Sequence, residues 1–377
     1  MAQRVLHVMR MSGVGGAENH LRVLLPELSA RGWEPDLLIP SPSPEAVRGL
    51  AERFSESCRT VTVAPMRRDA SPALSVRIAR LLRSGEYPVV HSHLVHADWH
   101  TAVASVLAPG VALISTKHND NPFRRTYPFR VVERLAANRC AATITISESL
   151  REFTLRYTRP HKEVVTVLYG LEAPLQAPER GSEFDSPTLL AVARLVRQKG
   201  LDILIRAMRL IRGAVPDARL LIAGDGPDRP ALEQLARELG LEGSLSFLGH
   251  RDDIGELMRR AWILVHPARW EGFGLVLLEA MREGLPVVAA RVSAVPEIVV
   301  DGSTGLLVQP EDTYGLAEAV IRALGDERFR RDAGARGFER LAERFSAERM
   351  ARETAAIYDR ATAGAAPQTL RGRTTTA

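Results

Sequence analysis

Short apolar runs alternate with amphipathic runs along the whole chain, which is the pattern of parallel strands buried on both faces by helices. The first series of predicted strands covers residues 5–9, 61–63, 89–91, 112–115 and 142–146. After the first of these strands, a glycine-rich turn at residues 13–16 leads into a predicted helix that runs through Leu28. The pattern predicts an α/β protein.

A second series of strands follows, with helix-like segments between them. It covers residues 188–193, 220–223, 245–248, 263–266, 286–290 and 305–308. The stretch 173–187 between the two series is rich in Pro, Glu, Gly and Ser and has no apolar periodicity, so we interpret it as a linker. The predicted domains are therefore residues 1–172 and 188–344.

The C-terminal part of the chain has a different pattern. Residues 327–361 predict one or two long, strongly charged helices, and we place a separate final helix at residues 345–362. Residues 363–377 contain too few apolar side chains to pack, so we expect a disordered tail.

Length and composition agree with two globular domains. The chain has 377 residues, of which 45% are hydrophobic and 25% charged, so disorder, collagen and coiled coil are excluded as global descriptions. The two cysteines, Cys58 and Cys140, cannot build a disulfide scaffold or a four-cysteine zinc site, and they favour a reducing, cytoplasmic location. No run of apolar residues is long enough to span a membrane, and Arg4 and Arg10 interrupt any signal-peptide pattern.

The excess of positive over negative charge lies in the first half of the sequence. Residues 1–170 carry a formal charge of +7 and the remainder carries −2, which together make the overall +5. Such asymmetry indicates that the first half meets an anionic partner, such as a lipid surface, a phosphate or a nucleic acid. An arginine-rich composition without a functional cause is the alternative.

The glycine-rich turn is the first candidate for chemistry. Glycines allow a ligand to approach the backbone, and the free N–H groups at the start of the following helix favour anions. Because the spacing is not G-x-G-x-x-G, a dinucleotide-dependent dehydrogenase fits poorly. An ordinary tight turn between a strand and a helix would explain the same residues.

Two basic residues follow the first strand of the second series. Arg194 comes at the carboxyl end of that strand and Lys199 comes just before a predicted helix, where ligands bind in open α/β sheets. A guanidinium and an ammonium can neutralise a diphosphate without a metal ion. Two solvated surface charges are the alternative.

Two carboxylates, Glu271 and Glu279, are separated by eight positions around another glycine-rich turn. We place Glu279 two turns into a helix whose buried face carries Leu275, Leu278 and Met281. Its carboxylate can accept hydrogen bonds from two vicinal hydroxyls of a sugar, and the N–H groups near residues 273–275 can meet a phosphate. A charge on the flank of a helix is the alternative.

Four histidines, at positions 91, 93, 96 and 100, lie within ten residues. A helix that begins near Val95 would place His96 and His100 on one face, as in a metal site. No third ligand at a suitable spacing supports this interpretation, so we predict no metal. His118 follows another strand and therefore points to the same edge of the sheet as the glycine-rich turn.

Six motifs, in chain order, together resemble the retaining glycosyltransferases of family 4, which have the GT-B fold. They are GGAE, a histidine at a strand end, ARLVRQKG, AGDGP, EGFGLVLLE and DGSTGLLV, and the resemblance covers about residues 4–345. It implies two Rossmann-like domains that face each other across a cleft. The second would bind mainly the nucleotide-sugar donor and the first mainly the acceptor, and the helix at 345–362 would cross back to the first.

Residue by residue, the resemblance implies a donor site in the second domain. Arg194 and Lys199 match the basic pair that stabilises the leaving diphosphate, and Glu271 matches the glutamate expected near the donor sugar. Glu279 matches the glutamate expected on the nucleotide ribose. The donor-binding turn and helix start would consist of Phe273, Gly274 and Leu275.

In the first domain, Gly15 and Gly16 match the loop that approaches the donor phosphates. His118 is the first candidate for the histidine near the donor sugar, and His93 is the second. Two segments depart from the family pattern: residues 293–297 read Ser-Ala-Val-Pro-Glu where Gly-Gly often precedes Pro-Glu, and residues 169–172 read Tyr-Gly-Leu-Glu in place of Asn-Gly-Val-Asp.

The expected activity is transfer of a sugar from a UDP- or GDP-sugar to a hydroxyl of a glycan or a lipid-linked acceptor, in cell-surface polysaccharide or glycolipid biosynthesis. We expect attack on the face from which the diphosphate leaves, no cofactor and no metal ion, since no Asp-x-Asp motif stands at a strand end. A nucleotide-sugar 2-epimerase and a non-catalytic nucleotide-sugar-binding protein remain alternatives. Nucleic-acid binding is disfavoured because no RNA-binding motif is present.

Residues 121–130 interleave arginines with aromatic residues, a composition suited to an anionic membrane interface. The residues concerned are Phe123, Arg124, Arg125, Tyr127, Phe129 and Arg130. We hypothesise reversible, peripheral attachment to the cytoplasmic leaflet. Inward packing of these aromatics is the alternative.

Overall fold

The computed structural model describes residues 3–11, 15–66, 71–120, 122–176 and 184–365. The chain divides into two compact units. The first contains Met1–Ile146, Leu150–Leu168 and Ala347–Ala377, and the second contains Ser147–Ser149 and Tyr169–Ser346. Residues 366–377 of the predicted tail, and 177–183 of the predicted linker, lie outside the described residues.

Within the described residues, the first unit contains a seven-stranded parallel sheet in the order β3-β2-β1-β4-β5-β6-β7. The strands are β1 (Gln3–Met9), β2 (Trp33–Ser41), β3 (Thr60–Pro65), β4 (Val89–His93), β5 (Ala112–Lys117), β6 (Ala142–Thr145) and β7 (Glu163–Thr166). The five predicted strands are confirmed, and β2 and β7 were missed. Pro35, Asp36 and Pro40 interrupt the apolar pattern of β2, and β7 has only four residues.

Each of the first six helices in the described part of the chain connects two consecutive strands of this sheet. They are α1 (Gly16–Ser29), α2 (Arg48–Glu52), α3 (Pro72–Arg83), α4 (Leu94–Leu107), α5 (Tyr127–Arg139) and α6 (Glu148–Tyr157). Helix α4 packs between α3 and α5, and its small residues Ala97 and Ala104 are buried against the sheet.

The second unit contains a six-stranded parallel sheet in the order β10-β9-β8-β11-β12-β13 within the described residues. Its strands are β8 (Thr188–Val192), β9 (Arg219–Ala223), β10 (Leu245–Gly249), β11 (Ile263–His266), β12 (Val287–Ala290) and β13 (Gly305–Val308). Its helices are α7 (Leu201–Ala214), α8 (Arg229–Glu238), α9 (Ile254–Arg260), α10 (Leu275–Arg282), α11 (Val295–Ile298), α12 (Thr313–Gly325) and α13 (Glu327–Arg344). All six predicted strands are confirmed.

Apolar periodicity explains how this second sheet is covered. Helix α7 buries Ile203, Leu204, Ala207, Met208 and Ile211, which recur at the spacing of one helix face. Each fully buried leucine or isoleucine contributes about 1.5–3 kcal/mol to folding. Phe184, inside the predicted linker, also packs on this unit: Trp262 Nε1 donates to its carbonyl oxygen at 3.1 Å.

The final helix, α14 (Ala347–Ala365), belongs to the first unit although its chain predecessor α13 belongs to the second. It begins two residues later and extends three residues further than the predicted helix. Tyr358 of α14 is fully buried, and its ring meets that of Trp33 in β2 edge-on, with ring centroids 5.0 Å apart. Among the described residues, no helix combines the length and apolar character needed to span a membrane.

Each parallel sheet, together with its helices, has the predicted α/β architecture. In the first the strand order reverses between β1 and β4, and in the second between β8 and β11. Open α/β sheets bind ligands outside the carboxyl ends of the strands at such a point.

Candidate active site

In the second unit, the candidate residues lie in two loops that leave neighbouring strands. Strand β8 pairs with β11, so the loop that follows β8 and the loop that follows β11 lie side by side. The first loop carries Arg194 and Lys199, and the second carries Glu271. Strand order therefore brings together residues that are distant in the sequence.

Lys199 and Glu271 form an ion pair, with Lys199 Nζ 2.5 Å from Glu271 Oε2. His266, the last residue of β11, is buried, and its Nε2 lies 3.0 Å from the same oxygen. Burial alone would raise the pKa of Glu271, but the Lys199 ammonium and the His266 hydrogen bond outweigh it and lower that pKa to about 2. Glu271 is therefore ionised at neutral pH and holds Lys199 in place.

Sequence reasoning missed His266, although one signal was available. His266 is the polar end of a strand whose other residues, Ile263 to Val265, are apolar and buried. A polar residue at the carboxyl end of a buried parallel strand is placed where ligands bind.

Arg269 links the two loops and was also missed. Its Nη1 and Nη2 each lie 2.8 Å from an Asp202 carboxylate oxygen, and its backbone N–H donates to the Gln198 carbonyl oxygen at 2.8 Å. Gln198 in turn donates from Nε2 to the Trp270 carbonyl oxygen at 3.0 Å. These bonds hold the segment around Lys199 against the segment around Glu271.

Gly200 makes this close packing possible. It adopts φ +63°, and a Cβ atom built on it would lie 2.1 Å from the carbonyl oxygen of Pro267. A side chain at this position would therefore separate the two loops. Arg194, at the start of the first loop, is exposed.

Helix α10 begins at Leu275, after Gly274 at φ +98°. The backbone N–H groups of its first turn are suited to an anion. Phe273 was predicted to bind the donor through its backbone N–H. Its ring is buried between Tyr169 and Phe345, at centroid distances of 5.0 and 6.1 Å. The backbone N–H groups of residues 273–275 stay the predicted phosphate contacts, and the Phe273 side chain belongs to an aromatic cluster.

Glu279 lies one turn into α10, and not two as predicted, because α10 begins at Leu275. Its side chain is half-buried, and burial raises its pKa, with Arg282 opposing this and Glu283 adding to it. Leu275, which we expected to be buried, is partly exposed, and the buried face carries Leu277, Leu278 and Met281. Among the described residues, neither Glu279 nor Arg194 hydrogen bonds to the group formed by Lys199, Glu271 and His266.

The family departure at residues 293–297 has a structural counterpart. Ser293 adopts φ +43°, a conformation that favours glycine. Its hydroxyl accepts a hydrogen bond from the backbone N–H of Glu271 at 3.3 Å. The serine therefore supports the Glu271 loop from a backbone conformation that is unfavourable for a residue with a side chain.

In the first unit, the described part of the glycine-rich turn begins at Gly15, since residues 13 and 14 lie outside the described residues. Gly15 precedes α1, and the backbone N–H groups of Gly15 and Glu18 hydrogen bond to the buried Glu18 carboxylate. Burial raises the pKa of Glu18, and these two hydrogen bonds oppose the rise. A carboxylate thus already uses N–H groups of the kind that we predicted would meet a phosphate.

His118 and His93, the two histidine candidates, are neighbours. His93 ends β4 and His118 follows β5, and His93 Nδ1 lies 3.0 Å from His118 Nε2. His7 of β1 extends the group, with its Nδ1 3.0 Å from His93 Nε2. Sequence reasoning missed His7, which sits alone in an apolar strand.

Burial keeps these imidazoles neutral. It lowers the pKa of His118 to about 3, with the charges of Lys117 and Arg124 adding to the effect. Burial also lowers the pKa of His7 to about 3 and that of His93 well below its usual value. None of the three carries a positive charge at neutral pH.

The metal interpretation considered for His96 and His100 is not supported by their contacts. His100 Nδ1 lies 2.8 Å from Ser75 Oγ, and His96 Nε2 lies 3.2 Å from Arg10 Nη1. A different trio, His7, His91 and His93, has ligand atoms within 4.8 Å of one another. The nitrogens of His91 lie 2.5 Å from Tyr358 Oη and 2.6 Å from Thr116 Oγ1, so hydrogen bonds already use both positions at which His91 could bind a metal ion.

Comparison with known proteins identifies the family. The profile described as Glycosyltransferase Family 4 matches residues 14–172, and the profile described as Glycosyl transferases group 1 matches residues 175–340. Alpha-maltose-1-phosphate synthase of Mycolicibacterium smegmatis is 32% identical over 345 residues, which cover 79% of this chain and 86% of the relative. Phosphatidyl-myo-inositol mannosyltransferase of Mycobacterium leprae is 29% identical over 336 residues, which cover 86% and 88%.

The crystal structure of Anabaena HepE in complex with UDP and glucose matches the fold with a TM-score of 0.81. The two proteins are 22% identical in sequence, and the match covers 95% of this chain and 100% of that one. The predicted GT-B fold and family are therefore confirmed. The chain belongs to glycosyltransferase family 4, and it transfers a sugar from a nucleotide-sugar donor to an acceptor hydroxyl.

Proposed function

We propose that this glycosyltransferase retains the configuration of the transferred sugar and works without a metal ion. The acceptor hydroxyl attacks the anomeric carbon on the face from which the nucleoside diphosphate departs. The bond from that carbon to the diphosphate oxygen breaks, the bond to the acceptor oxygen forms, and a phosphate oxygen of the leaving group takes the hydroxyl proton. Arg194 and Lys199 stabilise the negative charge that develops on the diphosphate.

The observation that carries this proposal is the ion pair between Lys199 and Glu271. It fixes the ammonium before any substrate arrives, which is the condition for electrostatic stabilisation without reorganisation. With its pKa near 2, Glu271 is a weak base and has no proton to donate at neutral pH. We assign it to holding Lys199 and to accepting hydrogen bonds from donor-sugar hydroxyls.

The nucleotide part of the donor, from a UDP- or GDP-sugar, is assigned to helix α10. Its first-turn N–H groups, at Gly274 and Leu275, would bind a phosphate. The carboxylate of Glu279, one turn further on, would accept hydrogen bonds from both ribose hydroxyls. In the first unit we assign Gly15 and Gly16 to a phosphate, which would replace the Glu18 carboxylate at the Gly15 N–H, and we assign His118 to the donor sugar.

The test is a transfer assay preceded by a donor screen. Nucleotide sugars are ranked by the rise in Tm that they cause, since a ligand that binds only the folded protein stabilises it. With the best donor and an acceptor, we expect Lys199→Ala to lower kcat about 100- to 1000-fold. Arg197→Ala is the matched control, because Arg197 is an exposed cation of the same loop.

Three results would contradict the proposal. They are unchanged transfer by a folded Lys199→Ala variant, an inverted anomeric configuration in the product by NMR, and loss of activity on dialysis against EDTA that a divalent cation restores. A product that forms without any acceptor would identify the epimerase reaction instead.

We further propose that the acceptor is lipid-linked, in cell-surface polysaccharide or glycolipid biosynthesis, and that the enzyme attaches to the cytoplasmic leaflet. A specific surface supports this: the exposed side chains of α3, α4 and α5, called here the arginine-rich face. On α5, Tyr127, Val131 and Leu135 recur every fourth residue and are exposed, Tyr127 to 78% and Leu135 to 56%. On α4, Trp99 and Val106 are also exposed.

The charge of this face is of one sign. Its charged side chains that reach solvent are all arginines, namely Arg77, Arg80, Arg83, Arg130, Arg134 and Arg139. The two acidic residues of these helices, Asp98 and Glu133, are buried and paired with Lys117 and Arg124. Apolar side chains among arginines suit an anionic membrane surface, where each cation contributes about 1 kcal/mol.

One part of the original membrane hypothesis is corrected. Arg124 was expected among the exposed arginines of residues 121–130, but it is buried, and its Nε lies 2.6 Å from Glu133 Oε1. Tyr127 and Phe129 are exposed, as that hypothesis requires. The surface therefore extends along α5 towards Leu135 and does not include Arg124.

Sedimentation with lipid vesicles tests the attachment. We expect binding to vesicles with anionic lipid at low salt, weaker binding at high salt, and none to neutral vesicles. The double variant Tyr127→Ser/Leu135→Ser should lose most of the binding, whereas Tyr314→Ser, at a tyrosine exposed to 72% in α12, should not. Absence of binding at low salt would refute the attachment and leave the transfer reaction untouched.

A further inference from the structure

Three buried histidines form a chain at the carboxyl edge of the first sheet. Strand β4 lies between β1 and β5, so His93 has His7 on one side and His118 on the other. His7 Nδ1 lies 3.0 Å from His93 Nε2, and His93 Nδ1 lies 3.0 Å from His118 Nε2. His7 and His93 are fully buried, and His118 is nearly so.

The ring geometry indicates hydrogen bonds in the ring planes and not stacking. The centroids of His7 and His93 are 5.3 Å apart with an angle of 12° between the planes. When two nearly coplanar rings meet through a 3.0 Å contact between nitrogens, the distance between their centroids is the length of that contact plus the radius of each ring. The observed centroid distance agrees with this arrangement. The His93 and His118 centroids are 5.2 Å apart.

Each neutral imidazole has one N–H donor and one acceptor nitrogen. A chain of such rings therefore has a direction, because each ring that accepts at one nitrogen must donate at the other. The two possible directions give His118 opposite tautomers. The group at the inner end of the chain decides between them.

The inner end is His7 Nε2, which is buried and has no hydrogen-bond partner among the described residues. A buried N–H without a partner is rare and costly in folded proteins. The His7 proton therefore belongs on Nδ1, where it is donated to His93 Nε2. The His93 proton must then lie on Nδ1 and is donated to His118 Nε2, so the His118 proton lies on Nδ1.

We propose that His7 and His93 are positioning residues that hold His118 as the Nδ1–H tautomer, so that His118 serves the transfer reaction as a hydrogen-bond donor and not as a base. The role of His118 in transfer rests on the proposed function. The assignment of the tautomer does not rest on the proposed function. A donor fits the proposed reaction, in which the leaving phosphate takes the acceptor proton and no protein base is needed.

The first test is long-range 1H–15N NMR of the full-length protein labelled with 15N-histidine, which shows which ring nitrogen carries the proton. Ten histidines are present, and single substitutions assign the signals. We expect His7, His93 and His118 all to carry the proton on Nδ1. A proton on Nε2 of His118 would overturn the proposal, and so would stoichiometric zinc binding by His7 and His93.

Substitutions test the chain itself. His7→Phe removes the first donor and should let His93 and His118 populate the other tautomer, with kcat about tenfold lower, as expected for the loss of one hydrogen bond, and KM for the donor unchanged. His7→Asn keeps an amide N–H near the same position and should restore both the NMR pattern and kcat. Tyr358→Phe is the matched control, because it removes the buried hydroxyl bonded to His91, which is outside the chain.

The outcomes separate the two proposals. If the NMR pattern is as expected but His118→Ala leaves kcat unchanged, the proposed role of His118 is wrong and the chain stands. If folded His7→Phe retains the Nδ1–H pattern at His118, the chain does not set the tautomer and the inference is wrong. Thermal unfolding shows whether each variant folds. If His7→Phe does not fold, His93→Gln is used in its place to interrupt the histidine chain.

Discussion

Lys199 Nζ lies 2.5 Å from Glu271 Oε2, and the two residues are 72 positions apart in the sequence. Strand β8 pairs with β11, and this pairing places the two loops together. Arg269 and Gln198 then hold the loops against each other. The cation assigned to the leaving diphosphate is thus positioned by a carboxylate, and that carboxylate is held in turn by His266.

The low pKa of Glu271 makes stability depend on pH. Its pKa in the folded protein, about 2, lies below its ordinary value, so the stabilisation is present above the ordinary carboxyl pKa and is lost as the pH falls towards 2. The contribution at neutral pH is on the order of 3 kcal/mol. Urea unfolding between pH 7 and pH 3 should show a steeper loss of stability for the wild type than for Glu271→Gln.

The control for this measurement is Glu256→Gln, at an exposed glutamate of α9. Its unfolding free energy should follow the wild-type pH dependence. Parallel curves for the wild type and Glu271→Gln would show that the ion pair does not stabilise the folded protein.

Gly200→Ala should destabilise the protein by about 3 kcal/mol, because φ is positive there and the new Cβ would meet the Pro267 carbonyl oxygen. Transfer should also fall, since Lys199 is the preceding residue. Gly213→Ala in α7 is the matched control: no atom lies within 4 Å of its added Cβ, and we expect up to about 1 kcal/mol of added stability. Equal unfolding free energies for the two variants would contradict the close approach of the loops.

Asp98→Asn should cost about 3–5 kcal/mol, because it leaves the buried Lys117 ammonium without its partner. Asp98 also accepts hydrogen bonds from Ser92 and Ser115, both at 2.6 Å. Asp253→Asn, in an exposed pair with Arg251, should change stability by less than about 1 kcal/mol. If chemical denaturation shows similarly small changes in unfolding free energy for Asp98→Asn and Asp253→Asn, a group other than Asp98 stabilises the Lys117 ammonium.

Glu279→Gln should weaken donor binding about 10- to 100-fold with little effect on kcat, because charge-assisted hydrogen bonds to the ribose would be lost. Calorimetric titration with the free nucleoside diphosphate measures this directly. Glu318→Gln, at an exposed glutamate of α12, should bind as the wild type does. Unchanged affinity of Glu279→Gln would remove Glu279 from the ribose site.

Much of the architecture could be predicted from local patterns. Eleven of the thirteen described strands were predicted from short apolar runs, and the exceptions have clear causes, prolines in β2 and the short length of β7. The motifs around Arg194, Lys199, Glu271 and Glu279 were found because glycine-rich turns at strand ends stand out in a sequence. The packing of the Phe273 side chain against Tyr169 was not predicted, because no local pattern distinguishes a ring that meets a ligand from one that is buried.

The amino-acid sequence alone determined the α/β class, the family and most of the residues that the proposed reaction uses. Tertiary structure decided which of them touch. His7 and His93 are 86 positions apart, and His91 and Tyr358 are 267 apart, and both contacts depend on which elements lie side by side in the first unit. Apolar periodicity reports the burial of each strand but not its neighbour in the sheet. Since pKa values, ion pairs and tautomers depend on that neighbour, they could be obtained only from the folded chain.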